Sequence, residues 1–421
     1  MGASIVSKSD KELVIQINVT LESSMLKTEE SIQQSLNQAG CQATKMALSN
    51  YDSNGDPIMV HDLKYTSKGL IEKKYQTPYG EIKLHRNVYQ SSQGGKTYCP
   101  LENDARIIVY STPKFAKMVS SKYSSIGGRF VQKDLIENHG RYISRNYIKN
   151  ISDTVGEIAL EKVKKWKYLP PVSPEIVKSI GLGLDGTCMF MADNGWRQAM
   201  VGTIAFFGKE NNRFDTIYLS APPEYGKTNF IENFENEINS IKKIYVESDY
   251  IGIADGAKDN WTFLSKHTNY QILDFFHASE YVTKVAEAVY SRNKEKRSKW
   301  LSDSCHKLKH EKNGAKELLN EFIGYRQKRL NAQKKEKLES SITYFTNQIS
   351  KMKYSEYIEK NYPIGSGVTE AACKVIVKQR LCNSGMKWKQ RGAGAVLCLR
   401  ALNYSSDRWG QTWMKISRYG L

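Results

Sequence analysis

The chain has 421 residues, 62 of them Lys or Arg against 44 Asp or Glu, which leaves a formal net charge of +18, and 11% of its residues are aromatic. That length supports two to four domains with packed cores and excludes a disordered tail. Seven cysteines without a CxxC pair exclude a disulfide framework or zinc ribbon, and apolar runs such as the one from Val201 fall far short of the ~20 residues of a membrane helix.

In chain order, residues 1–111 read as a mixed α/β segment. LVIQINV from Leu13 alternates as a strand does, and Ile32, Leu36, Ala39, Ala43 and Met46 recur at helical spacing between Met25 and Leu48. Two β-prone runs around Thr77–Gly80 then predict a hairpin. Residues 112–172 are predicted helical in three pieces, with a stop at Gly140 and an N-cap at Ser144, followed by a linker from Glu161 through the Pro-Pro step. Ile148, Ile151 and Val155 form the buried face of the third piece, leaving Arg145, Asn146, Lys149 and Asn150 for solvent or a DNA groove. This is either a helix-turn-helix-like DNA-binding region or an ordinary three-helix packing unit.

Residues 173–276 change to strands. Three consecutive β-like runs from Ile176 to Pro222 suggest an antiparallel meander, followed by a polar helix from Gly226 to about Lys243. A strand ending at Asp255, a short helix, and a strand ending near Asp274 complete the segment. Three strands, a helix and two more strands is the order of an RNase H-like fold, in which a carboxylate on the first strand lies beside one at the end of the fourth. Residues 277–357 are helical and basic, with 15 Lys or Arg against 7 Asp or Glu between Ser291 and Ser340. They are expected to form an all-helical insertion that is either a solvated face or a DNA-backbone surface. Residues 358–421 would supply the last core helix and a basic tail, so the expected class is a multidomain α+β or α/β protein.

Three acids sit in small-residue frames: Asp185 in GLDGT, Asp255 in IADGAKDNW and Glu370 in YPIGSGVTEAACK. Any one Asp before Gly is ordinarily a turn residue, but three in strand and helix contexts suit a site that holds two divalent ions for phosphodiester cleavage. Magnesium, or manganese, suits such oxygen ligands, two ions per site. Gly256 would let a substrate backbone approach, while Lys374, Lys378 and Arg380 would meet phosphates. Lys387 and Trp388 would grip a strand end by charge and stacking, or Trp388 would pack in the core. Cys305 and His310, with no second pair nearby, do not make a metal site.

These frames, with DFFHASEYV and SGMKW, resemble the DDE transposases of bacterial insertion sequences, most closely the ISKra type, over roughly Ile180 to Leu402. The N-terminal RNVYQ and GGKTYCPL are similar to that family too. The resemblance implies an RNase H-like core, metal-dependent DNA strand cleavage and strand transfer, and Asp185, Asp255 and Glu370 as the catalytic, metal-binding triad. Asp274 and His277 match its DxxH signature as supporting residues, while Ala371 and Lys374 stand where Gly and Arg are common. The implied partners are double-stranded DNA, as terminal inverted repeats and target, and a second copy in a homodimer or higher oligomer on that DNA. The expected setting is the bacterial cytoplasm at the nucleoid, with no membrane. A structure-specific nuclease and a domesticated DNA-binding regulator are the competing readings.

Overall fold

The computed structural model describes residues 2–9, 11–162, 165–173, 175–224 and 227–421. It is a mixed α and β protein that separates into two compact units. Residues 1–168, 390–403 and 407–421 make up the first, and residues 169–389 and 404–406 the second. The five consecutive segments expected from the sequence are thus regrouped: 1–111 and 112–168 belong together, and 358–421 is divided between the units.

In the first unit, β1 (Ala3–Lys8) and β2 (Leu13–Ile17) form a two-stranded ribbon, followed by α1 (Met25–Ser49). Strands β3 (Ile58–Val60), β4 (Leu63–Gln76), β5 (Glu81–Ser91) and β6 (Gly94–Tyr98) make an antiparallel sheet in sequence order. The predicted turn closes β4 on β5: Thr77 Oγ1 accepts from the amides of Tyr79 and Gly80 at 3.1 and 3.0 Å. The turn packs closely on α1: a Cβ on Gly80 would lie 2.3 Å from Cys41 Sγ, so a larger residue there would make that thiol turn aside. The apolar stripe read along α1 is only partly buried. Leu36 is exposed, whereas Thr28, Ser35 and Leu48 are covered, because this helix turns a more polar face to its neighbours.

The short helix α2 (Pro100–Asp104) precedes α3 (Pro113–Ser125), α4 (Gly128–His139) and α5 (Arg145–Lys162). Gly140 ends α4 in the left-handed conformation at φ +60°, and Ser144 Oγ accepts from the Tyr147 amide, so both predicted boundaries are present. Ile148, Ile151 and Val155 are fully buried.

The second unit is built on β7 (Ser179–Met191), β8 (Gly195–Phe207), β9 (Arg213–Ala221), β10 (Asp249–Ala254) and β11 (Tyr270–Leu273). Their order in the sheet is β11-β10-β7-β8-β9: β7, β8 and β9 are antiparallel, whereas β10 runs parallel to both β7 and β11. Between β9 and β10 lies α6 (Thr228–Lys242); the expected helix start at Gly226 is outside the described residues. The helix α7 (Lys258–Leu264) links β10 to β11. Phe230, Phe234, Ile238 and Ile241, three or four residues apart, give α6 the apolar stripe that covers the sheet.

The expected insertion is helical: α8 (Phe275–Val289), α9 (Lys294–His310), α10 (Gly314–Gly324), α11 (Ala332–Gln348) and α12 (Tyr354–Glu359). Val282, Val285, Leu308, Leu318, Phe322, Leu338 and Phe345 join the same core as the sheet, so the insert is packed onto the fold by its apolar side. Then follow α13 (Gly367–Ala372), a π-helical stretch at Cys373–Lys378, and α14 (Gln379–Leu381).

The last helices, α15 (Gln390–Tyr404) and α16 (Arg408–Tyr419), lie largely in the first unit. A Cβ on Gly156 of α5 would lie 2.7 Å from Ala395 Cα, so these two helices meet at van der Waals distance. The buried Arg400 donates to the carbonyl of Ser124, fixing α15 to the end of α3. Among the described residues no helix is long and apolar enough to cross a membrane.

Candidate active site

Strand register brings the first two acids together. Gly252 of β10 pairs with Leu182 of β7, and the same offset carried three residues further sets Asp255 beside Asp185. Glu370 comes from α13, which docks on β7 because Gly183 has no side chain. A Cβ there would lie 2.0 Å from Thr369 Oγ1, and Thr369 instead shares a 2.8 Å hydrogen bond with Thr203 of β8. One cleft is lined by Asp185, Asp255, His277, Ser366, Thr369 and Glu370. Gly183, Thr203 and Thr369 were not predicted as site residues; small and hydroxyl side chains give no sign of which helix will cross them.

The free oxygens of the three acids differ from those of Asp274. Asp274 is fully buried and caps α8: Oδ1 accepts from the amides of Phe276 and His277 at 2.6 and 3.3 Å, and Oδ2 from the Ser366 amide at 2.9 Å and from its hydroxyl. Burial pushes this carboxyl upward, but the hydrogen bonds from Ser366, Phe276 and His277 outweigh it and hold it below its ordinary value. Asp185 has lighter demands, from the Gly186 amide at 2.6 Å and Cys373 Sγ at 3.6 Å. At Asp255, Oδ1 accepts from Ala257 N at 3.1 Å. The Cys373 thiol is pushed up to about 12 by burial and then by the charge of Asp185, so it stays protonated and acts as a donor.

His277 Nδ1 lies 3.6 Å from Asp274 Oδ2 and 3.7 Å from Glu370 Oε1. One ligand atom from each of these residues fits within 4.8 Å, the dimension of a metal cluster. Ser366 Oγ also lies 2.8 Å from Glu370 Oε1. A hydroxyl has one proton, so it serves Asp274 or Glu370 and not both. With Asp274 held by three backbone amides, the carboxylates of Asp185, Asp255 and Glu370 are the hard oxygen set suited to magnesium or manganese. His277 and Ser366 are placed to orient Glu370.

Gly256 has φ +106°, a conformation favouring glycine, but the ring beside it is the protein's own: a Cβ would lie 3.2 Å from Tyr344. Tyr344 Oη donates to the Asp255 carbonyl at 2.7 Å, Gln348 Nε2 to that of Gly256 at 3.2 Å, and Tyr344 stacks on Tyr281 at 3.7 Å. The space assigned to a substrate backbone is therefore filled by α11, which braces the Asp255 turn.

Glu370, Lys374 and Lys378 are exposed at intervals of four along one helical face. Two other expected DNA contacts are corrected by burial. Arg380 is 2% exposed with its guanidinium 5.3 Å from the Trp388 ring centre, and Trp388 itself is 9% exposed with Nε1 donating to the Leu381 carbonyl at 2.9 Å. Both pack where the chain turns after α14, while Lys387 stays exposed. Trp388→Ala is accordingly expected to lower stability by about 3–5 kcal/mol, read from the urea midpoint. Arg145 and Lys149 are exposed on α5 in the first unit, with the Lys149 ammonium paired to Asp153. Against protein-family models and curated proteins the chain has no match, so its functional reading rests on residues and geometry.

Proposed function

We propose that the chain is a DDE transposase of an insertion sequence, with an RNase H-like core formed by β7–β11 and their covering helices. The observation that carries the reading is the convergence of Asp185, Asp255 and Glu370 on one cleft, from the first strand of the sheet, the end of its fourth and α13 beyond the helical insertion. Two divalent cations, magnesium or manganese, would supply activation of the attacking oxygen and stabilisation of the leaving one. Asp185 and Asp255 would hold them from adjacent strands and Glu370 from α13. Asp274, through Ser366, fixes the start of that helix, and His277 orients the Glu370 carboxylate. Lys374 and Lys378 would meet the phosphates flanking the cut.

The reaction would be attack of water at the ends of the element, giving a 3′-hydroxyl, then attack of that hydroxyl on target DNA. The helices α3–α5, with Arg145 on the exposed side of α5, would contact the terminal repeats. Pairing two ends calls for at least a dimer.

The test incubates the full chain with duplex DNA carrying the sequences that flank its gene, a supercoiled target and magnesium. Joined products are expected. Cut ends that never join would favour a structure-specific nuclease, and binding without cleavage would favour a regulator.

A further inference from the structure

With Trp388 buried, another ring is placed to stack. Trp196 lies just beyond the β7–β8 turn, whose Gly195 takes φ +68°, and it is 62% exposed. Its register partner is Phe190 of β7, and the two rings meet edge to face, centroids 5.7 Å apart at 83°. Packing against Phe190 orders the Trp196 ring while most of it remains in solvent, so a ligand that stacks on it forfeits little side-chain entropy.

Lys387 Nζ lies 6.0 Å from the Phe190 ring centre, and Arg197 and Lys389 are exposed nearby in sequence; the turn carries one acid, Asp193. The chain from α13 onward follows β7, with Thr369 against Gly183, Cys373 against Asp185, Cys382 Sγ 3.6 Å from the Cys188 carbonyl, and Trp388 paired with Met191. Lys374 and Lys378 are exposed along it. Phe190 is five residues beyond Asp185 on β7, an odd offset, so the ring pair projects from the other face of the strand to the Asp185 carboxylate.

We propose that Trp196, ordered by Phe190 and flanked by Lys387, is a stacking site for an unpaired base of single-stranded DNA outside the carboxylate cleft. Aromatic exposure and positive charge are what a sequence-tolerant single-strand site requires. The choice of DNA as ligand rests on the transposase reading, whereas the stacking itself does not.

The test uses the full chain carrying Asp185→Asn, so that DNA is bound and not turned over, titrated with single-stranded oligonucleotides bearing 2-aminopurine at successive positions. Quenching is expected at one position or two adjacent ones. Adding Trp196→Ala should remove the quench and weaken single-strand binding by about 5- to 100-fold, with duplex binding unchanged. Trp196→Phe should retain most of both, and Lys387→Gln should lower the salt slope by roughly 0.7 to 1. Unchanged quench and affinity in Trp196→Ala, with its melting curve intact, would overturn the proposal, as would absence of single-strand binding by the parent. Cleavage by the wild-type chain is scored separately. Loss of quench without any wild-type cleavage keeps the stacking site and sinks the transposase, and the reverse pattern sinks the stacking site alone.

Discussion

Asp185→Asn is expected to slow metal-dependent strand cleavage by about a thousandfold or more while shifting the melting temperature by only a few degrees. Removing one carboxylate from a two-ion site forfeits several kcal/mol of transition-state stabilisation, and each 1.36 kcal/mol is a factor of about ten. The amide keeps the shape of the side chain, its oxygen can still accept from Gly186 N, and its NH2 can donate to the Cys373 sulfur in place of the thiol's own hydrogen bond to Asp185. Asp185 is half-buried and has no cationic partner among the described residues, so its neutralisation breaks no ion pair there. Single-turnover cleavage of an end-labelled duplex measures the first effect and circular dichroism the second. Wild-type cleavage by this variant would remove Asp185 from the metal site.

Gly183→Ala is expected to cost about 1–3 kcal/mol of stability and, in addition, about a hundredfold in cleavage. The added Cβ would stand 2.0 Å from Thr369 Oγ1 and 3.0 Å from Thr203 Oγ1, both buried and hydrogen-bonded to each other, so α13 must move outward or Thr369 must change rotamer. Glu370 is the next residue, and a displacement of about an ångström at a reacting centre is enough for a loss of that size. Thr369→Ala in the same background, which removes the oxygen the new Cβ would strike, should recover part of the activity. A stability loss with an unchanged cleavage rate per folded molecule would show that Glu370 does not depend on this contact.

Much of the architecture around the acids was legible in the residues. Alternation and Gly or Pro punctuation located β4 and β5, the meander of β7 to β9, and the strands that end at Asp255 and Asp274, because a half-buried or buried strand leaves a period-two or continuous apolar trace. Periodicity likewise marked α3 to α5 and the helical insertion. Burial of charged and aromatic side chains left no such trace. Arg380 and Trp388 have the composition of a DNA contact, yet the guanidinium lies over the ring and the indole N–H meets a main-chain carbonyl, a packing that only the turn after α14 creates. Asp274 was recognised as part of a signature, but its work as the cap of α8 and its link to Ser366, 92 residues away, depend on two distant segments meeting. The same holds for Tyr344, whose hydroxyl reaches the Asp255 carbonyl across 89 residues. Nor does amphipathicity say which partner covers a helix: α15 is buried nearly all round, and it joins the first 168 residues and not the sheet it follows in sequence.

Asp185→Cys asks whether the side chain at position 185 would hold a divalent ion. A thiolate is a poor ligand for magnesium and a better one for softer divalent ions. This variant is expected to cleave end-labelled duplex at least about a thousandfold more slowly than wild type in magnesium and to regain a substantial part of the rate in manganese. Wild-type rates in magnesium, or cleavage that persists in a chelator, would contradict that expectation.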